Sequence, residues 1–198
     1  MAPRLEPVEF PHPDNDRGLF VRVRLGDDAA LAALFDRYVD ALCSFAFAYA
    51  QSRDSAEEIV QDVFIWIWEH RTAIEPPRSV PSYLYTAVRN RALNQLRARA
   101  TEVRFYEREA TEGGSAVSPR RTDAPDALAE AHDLRDAAAR AVAELPLRCR
   151  EVFTLARGRQ LTYAEIADVL GISPKTVEIH MSRALAHLRE RLAPWLSS

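Results

Sequence analysis

The chain reads as all-α: two small helical domains joined by a flexible linker. Apolar residues recur at three- and four-residue steps through most of its length, the period of a helix with one buried face, and no stretch alternates as a strand would. Glycine is scarce, 6 in 198 residues, which excludes a large all-β fold whose tight turns need positive φ. Between residues 109 and 125 a Gly-Gly-Ser run and two prolines interrupt the helical pattern. Such a composition buries too little apolar area to offset the entropy of ordering it.

Residues 1–17 carry Pro3, Pro7, Pro11 and Pro13 without periodicity and are expected to form a disordered arm. Asp27 to Gln51 is helical, with Leu31, Leu34, Phe35, Tyr38, Leu42, Phe45 and Tyr49 on one face. Asp54 or Ser55 caps a second helix reaching about Arg71, with acids in its first turn where the helix dipole favours them. Pro76, Pro77 and Pro81 force a loop, and Ser82 opens a long third helix to about Arg108. The linker, 109–125, separates domain 18–108 from domain 126–198 and spans at most about 60 Å extended. After it come helices over Asp126–Leu145 and Pro146–Arg157, then a short helix Tyr163–Leu170 capped by Thr162. Gly171 ends that helix, and Ser173 with Pro174 starts the last one.

The net charge of −3 argues globally against nucleic-acid binding, but the charge is segregated. Asp54 to Glu69 holds five acids and no Lys or Arg, whereas Arg78 to Arg108 holds seven arginines against two glutamates. From Pro146 onward eight basic residues face five acids. Two basic blocks separated by acidic ones define two anion-binding surfaces and one surface for a basic or polar partner.

Leu161 to Leu192 has helix-turn-helix spacing. On a helical wheel Val177, Met181, Ala184, Leu185, Leu188 and Leu192 form the core stripe. Lys175, Ile179, Ser182, Arg183 and Ala186 lie opposite, with Glu178 and Arg189 on a flank. An outward isoleucine beside Arg and Ser fits a thymine methyl, base edges and phosphates in a DNA major groove. On the second helix Ile59, Val60, Val63, Trp66 and Ile67 fall on the core side, joined by His70, leaving Glu58, Gln61, Asp62, Ile65, Trp68 and Glu69 outside. A tryptophan rimmed by acids is the composition of a protein-docking hot spot, although packing of Trp68 under a neighbouring helix is the alternative. The third helix places Tyr83 and Tyr85 ahead of Arg89, Asn90, Asn94 and Arg97, behind the loop Ala73–Pro81 with Arg78 and Ser79. Aromatics to stack, arginines for phosphates and asparagines for base edges suit single-stranded nucleic acid. The alternative is that the tyrosines are core and the arginines only solvate the helix.

GISPKTVEIH at 171–180, preceded by LPLRCREVF at 145–153, resembles the helix-turn-helix of LuxR-type and response-regulator activators, and equally region four of bacterial sigma factors. DSAEEIVQDVFIWIW at 54–68 resembles sigma region two where it docks on the RNA polymerase clamp, and YLYTAVRNRALNQLR at 83–97 is similar to the segment that melts and reads the minus-ten element. Two motif blocks in this order, with only a linker between them, follow the plan of the extracytoplasmic-function (ECF) group of sigma factors. Tyr83 stands where many members carry tryptophan, and stacking survives that change.

The resemblance implies a promoter-specific initiation subunit without catalysis of its own. Its polymerase contacts would be Glu58, Gln61, Asp62, Ile65 and Trp68. Its minus-ten contacts would be Arg78, Ser79, Tyr83, Arg89, Asn90, Asn94 and Arg97. Its minus-thirty-five contacts would be Lys175, Thr176, Glu178, Ile179, Ser182 and Arg183. Implied partners are core RNA polymerase (clamp helices and flap), promoter DNA and an anti-sigma factor. The competing reading is a LuxR-type activator with a helical regulatory domain.

An enzyme has no support, because no Ser/His/Asp order is distinctive and the five histidines include no pair at metal-ligand spacing near a carboxylate cluster. His180 and His187 are read as phosphate neighbours or solvated, and no cofactor or metal is expected. Two cysteines, no secretory h-region and no transmembrane-length apolar run point to the cytoplasm.

Overall fold

The computed structural model describes residues 13–50, 52–109, 129–157 and 161–196, which form eight helices and no strand. These are α1 (Pro13–Arg24), α2 (Asp28–Ala50), α3 (Arg53–Glu69), α4 (Val80–Glu109), α5 (Ala129–Ala143), α6 (Leu147–Arg157), α7 (Tyr163–Leu170) and α8 (Pro174–Leu196). The expected arm over 1–12 and linker over 110–125 lie outside the described residues.

The arm expectation is corrected at its end, since residues 13–17 already belong to α1. Pro13 sits at the first position, where its missing N–H leaves no bond unmade. Leu19, Phe20 and Val23 then bury against α2 and α4. Asp16 is buried too, bonded by the Tyr38 hydroxyl at 2.6 Å and ion-paired with Arg37. Gly26, at φ 90°, makes the turn into α2, whose first turn is capped by the Asp27 carboxylate accepting from the Ala30 N–H at 3.1 Å.

Helices α2, α3 and α4 pack around Leu34, Tyr38, Leu42, Phe45, Ile59, Ile67, Leu84 and Tyr85. The Phe45 and Tyr85 rings meet edge to face, 5.3 Å between centroids. Burial pushes the Tyr85 phenol up to about 12, so it is a neutral core residue and not a stacking platform at the surface. Ser52 caps α3, accepting from the Ser55 N–H at 3.2 Å.

In the second half α5, α6 and α7 all pack on α8 around Leu145, Val152, Leu155, Ile166, Leu170, Val177 and Ala184. Helix α7 begins with a reciprocal capping box: the Thr162 hydroxyl accepts from the Glu165 N–H at 3.3 Å, and the Glu165 carboxylate accepts from the Thr162 N–H at 2.8 Å. Gly171 ends α7 in the left-handed region at φ 66°, turning the chain into α8. Thr162→Ala is expected to lower stability by about 1 kcal/mol, read as a drop in thermal midpoint. The two halves touch, with α2 on α6 and α4 on α7.

Candidate nucleic-acid interface

Among the described residues helix α8 is covered on one side, by α5, α6 and α7. Val177, Met181, Ala184 and Leu188 are buried there, while Leu185 and Leu192 sit at the open edge of the stripe. The opposite face carries Lys175, Glu178, Ile179, Ser182 and Arg183 in the open, with Ile179 43% exposed. Lys175 Nζ lies 2.7 Å from a Glu178 carboxylate oxygen. Thr176 is half-buried, its hydroxyl 2.8 Å from that of Ser173 in the N-terminal cap. A capped helix start with an isoleucine, a serine and an arginine projecting from one face fits the width of a major groove.

The histidine expectation is corrected. His180 and His187 are half-buried, His180 Nδ1 lying 3.6 Å from the Cys149 Sγ and His187 Nε2 lying 3.8 Å from Glu144, because both sit on the flank of α8 turned toward the preceding helices. Arg183→Ala is expected to weaken duplex binding by about 1–3 kcal/mol and Ile179→Ala to relax preference at a thymine, both read by transcription across a promoter library.

The second surface is a groove between α3 and α4. Tyr83, Thr86, Ala87, Asn90 and Asn94 of α4 form one wall, and Asp62, Ile65, Trp66 and Glu69 of α3 form the other. Tyr83 is half-buried, its ring nearly perpendicular to that of Phe20 with centroids 5.6 Å apart, and it lines the groove. Asn90 and Asn94 are exposed, and Arg97 Nη1 donates to Asn94 Oδ1 at 3.1 Å. Arg91 bridges the walls, its Nη2 2.6 Å and its Nε 3.0 Å from Asp62 Oδ2. In the loop before α4, Arg78 is exposed and Ser79 Oγ accepts from the Ser82 N–H at 3.3 Å. Three residues expected to meet single-stranded DNA therefore share a groove with two expected to meet polymerase. Arg89 does not join them: its side chain is 15% exposed and its Nε lies 3.2 Å from Glu151 of α6.

The wheel reading of α3 also needs correction. Trp66 and His70, both placed on the core side, are exposed, Trp66 by 47%, and their rings stack with centroids 4.6 Å apart. Trp68, placed outside, is half-buried with the Arg71 guanidinium 4.5 Å over its ring. The buried sector runs through Ala56, Ile59, Val60, Val63, Phe64 and Ile67, so both tryptophans fall at its edges. The turn after α3 decides between them by folding Arg71 over Trp68, where Arg71 Nη1 also donates to the Trp68 carbonyl at 2.7 Å. Glu58, Gln61 and Ile65 are exposed as expected, Ile65 by 55%. Sequence reasoning missed Trp66 and Glu151; the signal for the second was an acid among Cys149, Val152, Phe153 and Leu155 on a buried helix face.

Among the described residues the elements are all helical, with a helix-turn-helix at one end and an aromatic, Asn- and Arg-bearing groove at the other, an arrangement suited to engaging DNA. Residues 34–102 match the family model for sigma-70 region 2, and residues 135–188 match that for sigma-70 region 4. The chain belongs to the sigma-70 family of RNA polymerase sigma factors, within the ECF group. It is 29% identical over 168 residues to the ECF RNA polymerase sigma factor RpoE of Cereibacter sphaeroides, covering 84% of this chain and 88% of the relative. It is 28% identical over 184 residues to the ECF sigma-E factor of Escherichia coli K12, covering 90% and 95%. The fold is shared with CnrH, solved with the cytosolic domain of CnrY (TM-score 0.63, 24% identity, 91% of this chain and 99% of that one). It is shared also with RpoE of Bartonella quintana, solved with the anti-sigma factor NepR (TM-score 0.58, 24% identity, 82% and 96%). The match to region 2 disfavours the LuxR-type activator reading that the helix-turn-helix alone left open.

Proposed function

We propose that this sigma factor engages a promoter at two places through its two halves. Region four lays α8 in the major groove at the minus-thirty-five element through Lys175, Thr176, Glu178, Ile179, Ser182 and Arg183. Region two captures the non-duplex minus-ten strand with Tyr83, Asn90 and Asn94 of the α3/α4 groove, helped by Arg78, Ser79, Arg89 and Arg97. The outer face of α3, with Glu58, Gln61, Asp62, Ile65 and Trp68, docks on the polymerase clamp, and region four meets the flap. The chain does no chemistry; polymerase does. It works in the cytoplasm, and no described helix is long and apolar enough to cross a membrane. An anti-sigma factor is its expected inhibitor, the kind of partner named in the structure of the Bartonella RpoE.

The observation that carries this reading is the groove itself: a half-exposed tyrosine beside two exposed asparagines, on a helix whose arginines run toward the same end. Base stacking on an aromatic and hydrogen bonding to unpaired base edges both need separated strands. A photo-cross-linking residue placed at Ala87 in the groove and another at Ala186 on α8, in a complex with polymerase and a promoter, test it. The first is expected to mark the minus-ten strand and the second the minus-thirty-five duplex. Cross-links from both positions to one element would contradict the division of labour.

A further inference from the structure

Among the described residues only two charged side chains are buried, and they differ in one respect. Asp16 finds its partners within its own bundle. Glu151, 1% exposed on α6 of region four, finds two of its three donors across the divide in region two. The Tyr49 hydroxyl of α2 and Arg89 Nε of α4, the latter at 3.2 Å, both reach it, and Arg148 Nη1 completes the set from one turn earlier at 3.1 Å. Burial and the bond to Glu151 push the Tyr49 phenol far up, so Tyr49 is a permanent donor.

A buried carboxylate is tolerated only when its lone pairs are filled, and these are filled only while the two halves touch. Pulled apart, Glu151 and Arg89 both return to water, so the contact fixes register at little net cost and is readily reversed. One of the residues it holds, Arg89, belongs to the expected minus-ten set. The closed form is also too small to use both promoter elements. Elements centred about 25 base pairs apart lie about 85 Å apart along B-form DNA, whereas a compact chain of 198 residues has a radius of gyration of about 16 Å.

We infer that Glu151 is an intramolecular latch: in the free sigma factor it holds region four against region two through Tyr49 and Arg89, and it must release before Arg89 can reach the minus-ten strand. The inference rests on the proposed roles of the two regions. Neither Glu151 nor Tyr49 belongs to the proposed DNA or polymerase contacts, so changing them tests the latch and spares the machinery.

The test is small-angle scattering of the full-length chain alone, with binding to a single-stranded minus-ten oligonucleotide, for the wild type, Glu151→Gln and Tyr49→Phe. The wild type is expected to scatter as a closed particle and both variants as expanded ones. Both variants are expected to bind the oligonucleotide about five- to tenfold more tightly, the factor by which the open fraction rises. With saturating core polymerase, which holds the halves apart, all three are expected to transcribe equally. A wild type that scatters as two separated bodies overturns the latch. So do two variants that stay closed and bind DNA as the wild type does. Should Glu151→Gln lose helical circular dichroism, the isosteric Tyr49→Phe, in the other half, decides alone. A wild-type chain that programs polymerase on no template refutes the proposed function, an outcome read separately from the scattering.

Discussion

Asp62→Arg is expected to abolish co-purification with core RNA polymerase while leaving helical circular dichroism and Tm nearly unchanged. Asp62 lies at the exposed edge of α3, among Glu58, Gln61, Ile65 and Glu69. An acidic rim around apolar anchors steers a helix toward a basic surface, and reversing one rim charge opposes that steering and leaves a repulsive contact in the complex. Among the described residues Asp62 pairs with exposed Arg91, an interaction worth about 0–1 kcal/mol at such a surface, so folding is spared. The double variant Asp62→Arg with Arg91→Asp restores that pair with its polarity reversed. It is expected to remain defective, since what polymerase meets on α3 is still a cation; recovery of binding would show that the internal pair alone matters. Raising salt is expected to weaken wild-type association, because rim charges are screened over about 8–10 Å. The two tryptophans separate on the same assay. Trp68→Ala is expected to cost about 3 kcal/mol of stability, the lower end for a truncated tryptophan because it is only half-buried. Trp66→Ala is expected to cost about 0.5 kcal/mol, as befits a ring 47% exposed, and to weaken partner binding instead.

Asn90→Ala and Tyr83→Ala are expected to leave duplex minus-thirty-five binding intact and to lower open-complex formation by roughly five- to 150-fold, the equivalent of about 1–3 kcal/mol for one stacked base. The contacts they remove exist only after the strands part. A template with a pre-melted bubble should therefore rescue the part of the defect that belongs to opening. Tyr83 also packs edge-on against Phe20, so Tyr83→Ala removes core contact along with a stacking face. Tyr83→Phe keeps the ring in both roles and is expected to behave as the wild type. Permanganate reactivity of unpaired thymines measures opening directly. Equal loss of duplex binding in Asn90→Ala would instead mark a folding defect.

What the sequence made legible followed how many neighbours each helix has. The outward face of α8 was read correctly from one wheel because the helices it packs on lie to one side, and the caps at Thr162, Gly171 and Ser173 are local signals fixed by backbone chemistry. Helix α3 packs against both α2 and α4, so its buried sector is broad and its edges are set by partners that the wheel does not contain. That is why Trp66 and Trp68 were exchanged, and why Phe64 escaped assignment although it is buried. In α1 the burial of Leu19, Phe20 and Val23 depends on α2 and α4, and four prolines over residues 3–13 leave the segment without a local helical signal of its own. Its place in a basic run makes Arg89 read as a phosphate contact. Its partner Glu151 lies 62 positions away, and no local pattern encodes a contact of that kind. The family resemblance supplied roles that periodicity could not, and it was silent on the packing between the halves.

The central claim is that this chain selects promoters for core polymerase. Its most direct measurement is transcription from fragmented genomic DNA by core polymerase with and without the chain, with the start sites sequenced. The expected result is a set of starts found only when the chain is added, sharing two motifs at fixed spacing upstream, and lost with Asp62→Arg. Starts unchanged by adding the wild-type chain would contradict the claim.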